Sequence, residues 1–397
     1  MKSTFNGKSV LIVLPDVFDY RVPFFEKLRD LGEKSQIDYQ VRAKSISPEA
    51  FRKNANHPDS YFRQIPVKEH ILCKRSIVRQ KVSIDLNKTD LIIAEYAIRN
   101  LIIYKWIFLN RPKRLAMWGH GKTYTKSNTK IEEWLKNKLL NRTDWFFGYT
   151  DKGIEHAIAN GFPKDRTTTV QNSTDTQTLK NVKSQVTQAQ VDSYRLEKGI
   201  GTGPIAVFIG SFEPSKRINF LLTAAKQIQK SIPNFELLLF GSGPEFEKVR
   251  LACSENLFMK YCGKATVEEQ AIASNFAQII MMPGRIGLVA VDSLAMGLPI
   301  VSTFWKFHAP EAEYLVPGKN SIFFEDDVDT YSQGIIRLLK DQMKIFDLKM
   351  QCIKDSELYS IEIMANNFHE GVVKLLNENE NSSIFGFKTF LKFKSNE

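Results

Sequence analysis

One pattern limits this chain's possible folds more than any other. Short, largely apolar runs bounded by turn residues recur, and each is followed by a stretch with helical periodicity. The first half supplies such runs at 10–14, 91–94, 115–118 and 145–149; the second supplies them at 205–209, 236–240, 258–262, 279–282 and 300–302. Strands that are apolar on both faces belong in a parallel sheet covered by helices. The intervening segments agree: Ile218, Leu221, Leu222, Ala225 and Ile228 fall on one helical stripe. Thr266 and Glu269 form a capping-box pattern ahead of Ala271 and Ile272. The expected class is α/β, built from repeated βαβ units.

A chain of 397 residues exceeds one ordinary core and suits two domains of ~150–200 residues each. The stretch 172–204 turns polar, rich in Ser, Thr, Gln and Lys, and ends on Gly199, Gly201 and Gly203. That composition is expected of an inter-domain connection. No repeat of short fixed period appears, yet both halves keep the same strand-helix rhythm. Two similar folds facing each other would form a cleft, the usual place for a ligand.

The formal charge of +11 favours an anionic partner: nucleic acid, a phosphate-rich ligand or an acidic lipid surface. Charge alone does not choose among these, or between them and a merely soluble basic surface. Lys and Arg are scattered, without a basic run interleaved with aromatics in the core, which argues against nucleic acid. Cys73, Cys253, Cys262 and Cys352 lie far apart without CxxC spacing, so reduced thiols in a cytoplasmic protein are expected rather than zinc or disulfides. The apolar run at 9–14 is too short for a signal-peptide core. The longest, 101–109, is interrupted by Lys105 and falls short of the ~20 residues a bilayer needs.

The most informative stretch is 282–299, which reads strand, glycine turn, helix, glycine stop, strand. Gly284 and Gly287 would let backbone approach a ligand closely, and a helix opening after Gly287 would offer unpaired N–H groups to a phosphate. Asp292 falls in that helix's early turns, where a carboxylate could accept ribose hydroxyls. A purely structural βαβ turn would also want glycine there.

This stretch resembles the signature of retaining GT-B glycosyltransferases of family 4: glutamate, seven residues, a second glutamate, then a run like Ala295-Met296-Gly297-Leu298-Pro299. Asp292 occupies the second acidic position and Gly284 the first, so the family's acidic contact to the donor sugar is missing. The run 208–217 resembles the family's diphosphate loop: Lys216 matches its lysine, while Ser211 stands where an arginine is usual and Arg217 follows as a substitute. Gly241-Ser242-Gly243-Pro244 resembles the Gly-x-Gly-Pro turn, and His308-Ala309-Pro310-Glu311 the Pro-Glu element. Trp118-Gly119-His120-Gly121 is similar to the His-Gly site facing the donor sugar, and 170–175 to the Asn-Gly-x-Asp hinge, with Ser173 for the glycine. The segment 14–25 resembles the first strand, acceptor-side loop and first helix. There Asp16 and Arg21 would meet the acceptor, although Arg21 could equally pair with a carboxylate of its own domain.

The resemblance implies a GT-B architecture of two Rossmann-like, doubly wound parallel-sheet domains facing across a cleft. They would span 1–175 on the acceptor side and 200–364 on the nucleotide-sugar side, with a C-terminal helix and tail at about 365–397 packing back on the first. It implies transfer, with retention, from a UDP- or GDP-sugar to a glycan or lipid-linked acceptor in bacterial surface polysaccharide synthesis. The donor is a substrate, and neither cofactor nor metal is expected. His120, Lys216 and Asp292 would be catalytic. Gly210, Ser211, Lys216, Arg217, Gly241, Gly243, Pro244, Gly284, Arg285, Ile286, Gly287, Leu288 and Asp292 would hold the donor.

Three rivals remain. A metal-dependent glycosyltransferase of the other common fold could hold its divalent cation at Asp327-Val328-Asp329, but this run precedes a helical pattern at 331–339, where carboxylates cap. A sugar-nucleotide epimerase or hydrolase could use the same fold, and a basic nucleic-acid-binding protein is the non-enzymatic alternative. Finally, Phe385, Phe387, Phe390, Leu391 and Phe393 alternate with Lys388, Lys392 and Lys394. This tail could lie on an anionic membrane surface, giving a cytoplasmic protein peripheral on the inner face, or it could dock on the N-terminal domain.

Overall fold

The computed structural model describes residues 7–48, 61–72, 75–82, 84–124 and 130–378; the cationic aromatic tail lies outside them. The chain divides into two compact units. The first comprises 1–123, 127–171 and 362–397, and the second 124–126 and 172–361.

In the first unit, the strands are β1 (Lys8–Val17), β2 (Ile37–Ile46), β3 (Phe62–Gln64), β4 (Val67–Leu72), β5 (Arg75–Gln80), β6 (Leu91–Glu95), β7 (Leu115–Gly119), β8 (Trp145–Gly148) and β9 (Thr167–Thr169). Seven of them form a parallel sheet in the order β3-β2-β1-β6-β7-β8-β9, while β4 and β5 pair as an antiparallel hairpin. Every residue of β7 and β8 is buried, which is why those strands stand out in the sequence as unbroken apolar runs. β2 alternates buried and half-buried positions along most of its length, a half-polar pattern that a search for apolar runs passes over. The helix Ile361–Asn377 belongs to this unit. Its Phe368 stacks on Phe147 with ring centres 4.6 Å apart, and its His369 shares hydrogen bonds with Tyr39 Oη (2.7 Å) and Ser35 Oγ (2.9 Å).

The second unit adds β10 (Ile205–Ile209), β11 (Glu236–Phe240), β12 (Met259–Gly263), β13 (Ile279–Met281), β14 (Ile300–Thr303) and β15 (Ser321–Phe324). All pair in parallel in the order β12-β11-β10-β13-β14-β15, the doubly wound pattern whose direction of winding reverses between β10 and β13. The expected stripe is realised in the helix Ile218–Ser231, which buries Ile218, Leu221, Leu222, Ala225 and Ile228. Both halves of the Thr266/Glu269 capping box form. The polar stretch read as a connection folds into two helices, Thr176–Gln185 and Gln188–Glu197, the second opened by a Thr187/Gln190 capping box. Leu179, Val191 and Tyr194 are its buried apolar anchors, Leu179 and Tyr194 within this unit's core. Among the described residues, no helix is long and apolar enough to cross a membrane.

Candidate functional site

In an open parallel sheet, ligands collect outside the carboxyl ends of the strands, where the winding reverses. Because β10 and β13 are hydrogen-bonded neighbours, the loops that leave them, 210–217 and 282–288, emerge side by side. Arg285 N–H donates to Ser215 C=O (2.8 Å) and ties one loop to the other. Gly284 is the point of closest approach. A Cβ there would meet the Lys216 carbonyl carbon and oxygen and the Ser215 oxygen, each at 2.5 Å. No side chain fits without moving backbone, which accounts physically for the missing acidic residue.

Lys216 ends the short helical turn Pro214–Lys216 and donates through Nζ to the Arg285 carbonyl. Burial lowers its ammonium to about 8, the nearby Arg285 guanidinium pushes the same way, and Glu311 opposes both. Arg285 Nη1 donates to the carbonyls of Phe307 (3.0 Å) and Tyr124 (2.9 Å). Arg217 adopts the left-handed conformation (φ 58°) and caps the next helix. Its guanidinium pairs with Asp326 and lies over the Phe220 ring at 4.4 Å, so its charge is already compensated within the unit. Ser211 is exposed. Gly241 and Gly243 are required by contact: a Cβ on Gly241 would lie 1.9 Å from the Gly210 oxygen, and one on Gly243 2.8 Å from Phe212 backbone. Phe212 N–H donates to Ser242 C=O (2.8 Å), and Glu245 N–H to Phe212 C=O (2.9 Å), so the turn carrying Pro244 is laced to the loop after β10.

The helix Val289–Met296 starts beside these loops, with Leu288 as its N-cap and Gly297 (φ 65°) as its stop. Ala290 and Val291 N–H donate within the opening turn to the Gly287 and Leu288 carbonyls (2.9 Å each), so the amides just before them present the positive end of the dipole. Open space surrounds the Gly287 Cα, unlike that of Gly284. Ile286 N–H donates to His308 Nδ1 (3.2 Å), while His308 Nε2 lies 2.9 Å from the Thr303 carbonyl. The two contacts together assign the neutral tautomer that carries its proton on Nε2. Asp292 is half-buried; burial raises its carboxyl to about 6, partly offset by the Thr174 hydroxyl, which donates to Oδ1 at 2.6 Å.

Two groups without an assigned role from sequence belong to this cluster. Glu311, 3% exposed, accepts from Asn172 Nδ2 at 2.5 Å and acts electrostatically on both Lys216 and Arg285. His308 braces the 282–288 loop through Ile286. Their signal was the Pro-Glu element, which carries a carboxylate into the core where an uncompensated charge would be costly. Asp327 caps the helix Val328–Lys340 by accepting from the Asp329 and Thr330 amides, and Asp329 accepts from Gln227 (2.7 Å). Among the described residues, no group of three or more His, Cys, Asp or Glu is arranged to hold a metal ion.

His120, Asp16 and Arg21 belong to the first unit. His120 follows β7, is exposed, and sets its ring 4.6 Å from that of Tyr149. Gly121 (φ 76°) makes this turn possible, since a Cβ would lie 2.3 Å from the Gly153 oxygen. The buried Arg21 guanidinium faces the rings of Tyr20, Trp118 and Tyr149 at 5.1–5.9 Å and donates to the Met364 sulfur at 3.3 Å. Tyr149 thus touches both Arg21 and His120. At the ends of β1 and β6, Asp16 and Glu95 interact; burial first, then the Asp16 charge, raises Glu95 to about 7 against the pull of Lys136.

The profile of the family described as Glycosyl transferases group 1 matches residues 203–341. Over 155 residues, 36% of this chain and 40% of the relative, the sequence is 26% identical to a GDP-mannose-dependent monoacylated alpha-(1-6)-phosphatidylinositol monomannoside mannosyltransferase of Corynebacterium glutamicum. Over 166 residues, 39% of this chain and 24% of the relative, it is 27% identical to a poly(glycerol-phosphate) alpha-glucosyltransferase of Bacillus subtilis. The chain therefore spans less than half the length of these curated relatives. Among solved structures, the Anabaena protein HepE in complex with UDP-glucose superposes with a TM-score of 0.66 at 12% identity, covering 92% of this chain and 99% of that one. At that identity the likeness speaks to the fold.

Proposed function

We propose that this chain, whose residues 203–341 belong to the glycosyl transferases group 1 and whose two α/β units have the GT-B architecture, transfers a sugar from a UDP- or GDP-sugar to a glycan or lipid-linked acceptor. The observation that carries the reading is the pair of laced loops at the winding reversal, where half-buried Lys216 and Arg285 and the start of the helix Val289–Met296 converge. A departing nucleoside diphosphate gathers negative charge while the sugar becomes cationic, so fixed positive groups beside the phosphates lower the barrier. Lys216 and the amides from Gly287 onward do this without a metal. His120 orients the sugar, Asp292 accepts hydroxyls, and transfer retains the anomeric configuration.

The relatives' names support the acceptor class: one acts on a phosphatidylinositol mannoside, the other on a poly(glycerol-phosphate). The chain would then work in bacterial surface polysaccharide synthesis, cytoplasmic and peripheral on the inner face of the membrane. Thermal shift with UDP, GDP and their sugars tests the class. Stabilisation by one base and its sugars, lost in Lys216→Ala, is the expected result; no response to any nucleotide would overturn the reading. Labelled donor separates transfer from epimerisation or hydrolysis by its products.

A further inference from the structure

The helix Gln342–Asp355 of the second unit inverts the usual distribution of side chains. Its inner face buries Ile345, Leu348 and Cys352, and it also turns two lysines onto backbone: Lys344 Nζ donates to Gly318 C=O (2.9 Å) and Lys349 Nζ to Ala277 C=O (2.6 Å). The outer face carries the apolar bulk. Met343 is 71% exposed, Phe346 57%, Met350 49% and Ile353 44%, at i, i+3, i+7 and i+10 along one stripe. Leu358, in the turn Ser356–Leu358 that follows, is 55% exposed. Large side chains open fully to ~150–250 Å² each, so these fractions leave roughly 500 Å² of apolar surface facing water. A single exposed leucine needs no explanation, whereas a patch of this size on one helix is commonly an interaction site.

The charges beside the stripe decide what it fits. Asp347 and Lys354, seven residues apart and so on the same flank of the helix, are both exposed, and neither side chain makes an ion pair or hydrogen bond with a described residue. With one acid and one base, the face has no net charge to draw an anionic surface. It is complementary to itself. In an antiparallel two-fold pairing centred between Met350 and Gln351, Asp347 of one copy stands level with Lys354 of the other, and Met343 stands level with Leu358. The two-fold brings the same flank of both helices together, so each charge finds its opposite. The area agrees: an interface of standard size buries ~800 Å² per partner, of which ~55–65% is apolar, close to the roughly 500 Å² that the stripe offers.

We propose that the stripe Met343, Phe346, Met350 and Ile353 is the interface of a symmetric homodimer, in which the helix Gln342–Asp355 pairs antiparallel with its counterpart in a second copy of this chain. The inference does not depend on the donor or the acceptor. Sedimentation velocity and light scattering of the full-length chain should give twice the chain mass. Phe346→Glu/Met350→Glu should raise the dissociation constant about a thousandfold, because each lost anchor counts twice in an isologous interface, while the circular dichroism stays that of wild type. Asp347→Lys and Lys354→Asp should each weaken the dimer about tenfold by turning two attractive pairs into repulsive ones. Combined, Asp347→Lys/Lys354→Asp should restore it, a result that only self-pairing produces. A dimer that survives Phe346→Glu/Met350→Glu, or a combined charge reversal weaker than either single one, would overturn the interface. A monomeric wild type would overturn it too. If a chain ending at 381 then dimerises, the occupant is the chain's own tail; if vesicles of phosphatidylcholine capture the monomer but not Phe346→Glu/Met350→Glu, it is a bilayer.

Discussion

Replacing Gly284 by alanine adds one methyl group, and its cost follows from what that methyl meets. Three backbone atoms of Ser215 and Lys216 lie 2.5 Å from the Cβ position, where a flexible side chain could yield but a peptide group cannot. Overpacking a rigid site costs about 1–3 kcal/mol, and backbone neighbours put this case at the upper end. For a unit of this size, a Tm drop of roughly 5–10 °C follows. The strain relaxes by moving the turn that carries Lys216, breaking the Arg285-to-Ser215 bond and withdrawing an ammonium from the phosphate side. A charged hydrogen bond is worth about 1.5–3 kcal/mol, so nucleotide affinity should fall at least tenfold. Scanning calorimetry and nucleotide titration measure both effects. The decisive variant is Gly284→Glu, which restores the family's acidic position. If it keeps the wild-type Tm and raises turnover, the site has room for a side chain and the steric account is wrong.

Two further outcomes follow from the titrating groups. Because burial holds the Lys216 ammonium at about 8, the group is charged below that pH and neutral above it. Nucleotide affinity should therefore weaken as pH rises through 8, and Lys216→Arg should move that loss upward; a flat pH profile in the wild type would exclude Lys216 from phosphate binding. Asp292 shifts in the direction unusual for a carboxylate, from 3.8 to about 6, so between these values the folded state holds a proton that the unfolded chain releases. Its contribution is neutral below about pH 4, where both states are protonated, turns unfavourable as pH rises toward 6, and is a penalty of up to ~3 kcal/mol at neutrality. Asp292→Asn keeps an oxygen to accept from Thr174, so it should raise Tm at pH 7.5 with no gain near pH 4, while turnover falls. Equal Tm gains at both pH values would count against the buried-carboxylate explanation.

What could be read from the sequence followed burial. β10 and β13, which flank the winding reversal, are buried along their whole length, so composition alone located them. β2 escaped because polar residues alternate through it, and β15 because its apolar run is only the three residues Ile322, Phe323 and Phe324. The helices at 176–185 and 188–197 escaped because each anchors itself with one or two buried apolar residues. At the site, Lys216 and the 284–288 loop were legible as motifs, since glycines forced by backbone contact leave a mark in sequence. The pairing of Arg217 with Asp326 was not, because their partnership depends on β14 and β15 bringing residues more than a hundred positions apart to one sheet edge.

The two departures from the family pattern also make sense together. Ser211 removes a positive group from the diphosphate loop and Gly284 removes a negative one, so the net charge of the site is unchanged relative to that pattern. Within the unit, Asp326 compensates Arg217, and Glu311 opposes Lys216 and Arg285. One uncompensated cation and a helix N-terminus remain to meet the phosphates. Restoring the acid alone would cancel that excess in addition to crowding the loop. An arginine at Ser211, which is exposed, adds charge without steric cost. Ser211→Arg should therefore tighten nucleotide binding in the Gly284 background, by up to about tenfold for one added phosphate contact, and the same arginine should recover part of the affinity lost in Lys216→Ala. If Ser211→Arg instead weakens binding in both backgrounds, the phosphates do not lie on this side of β10.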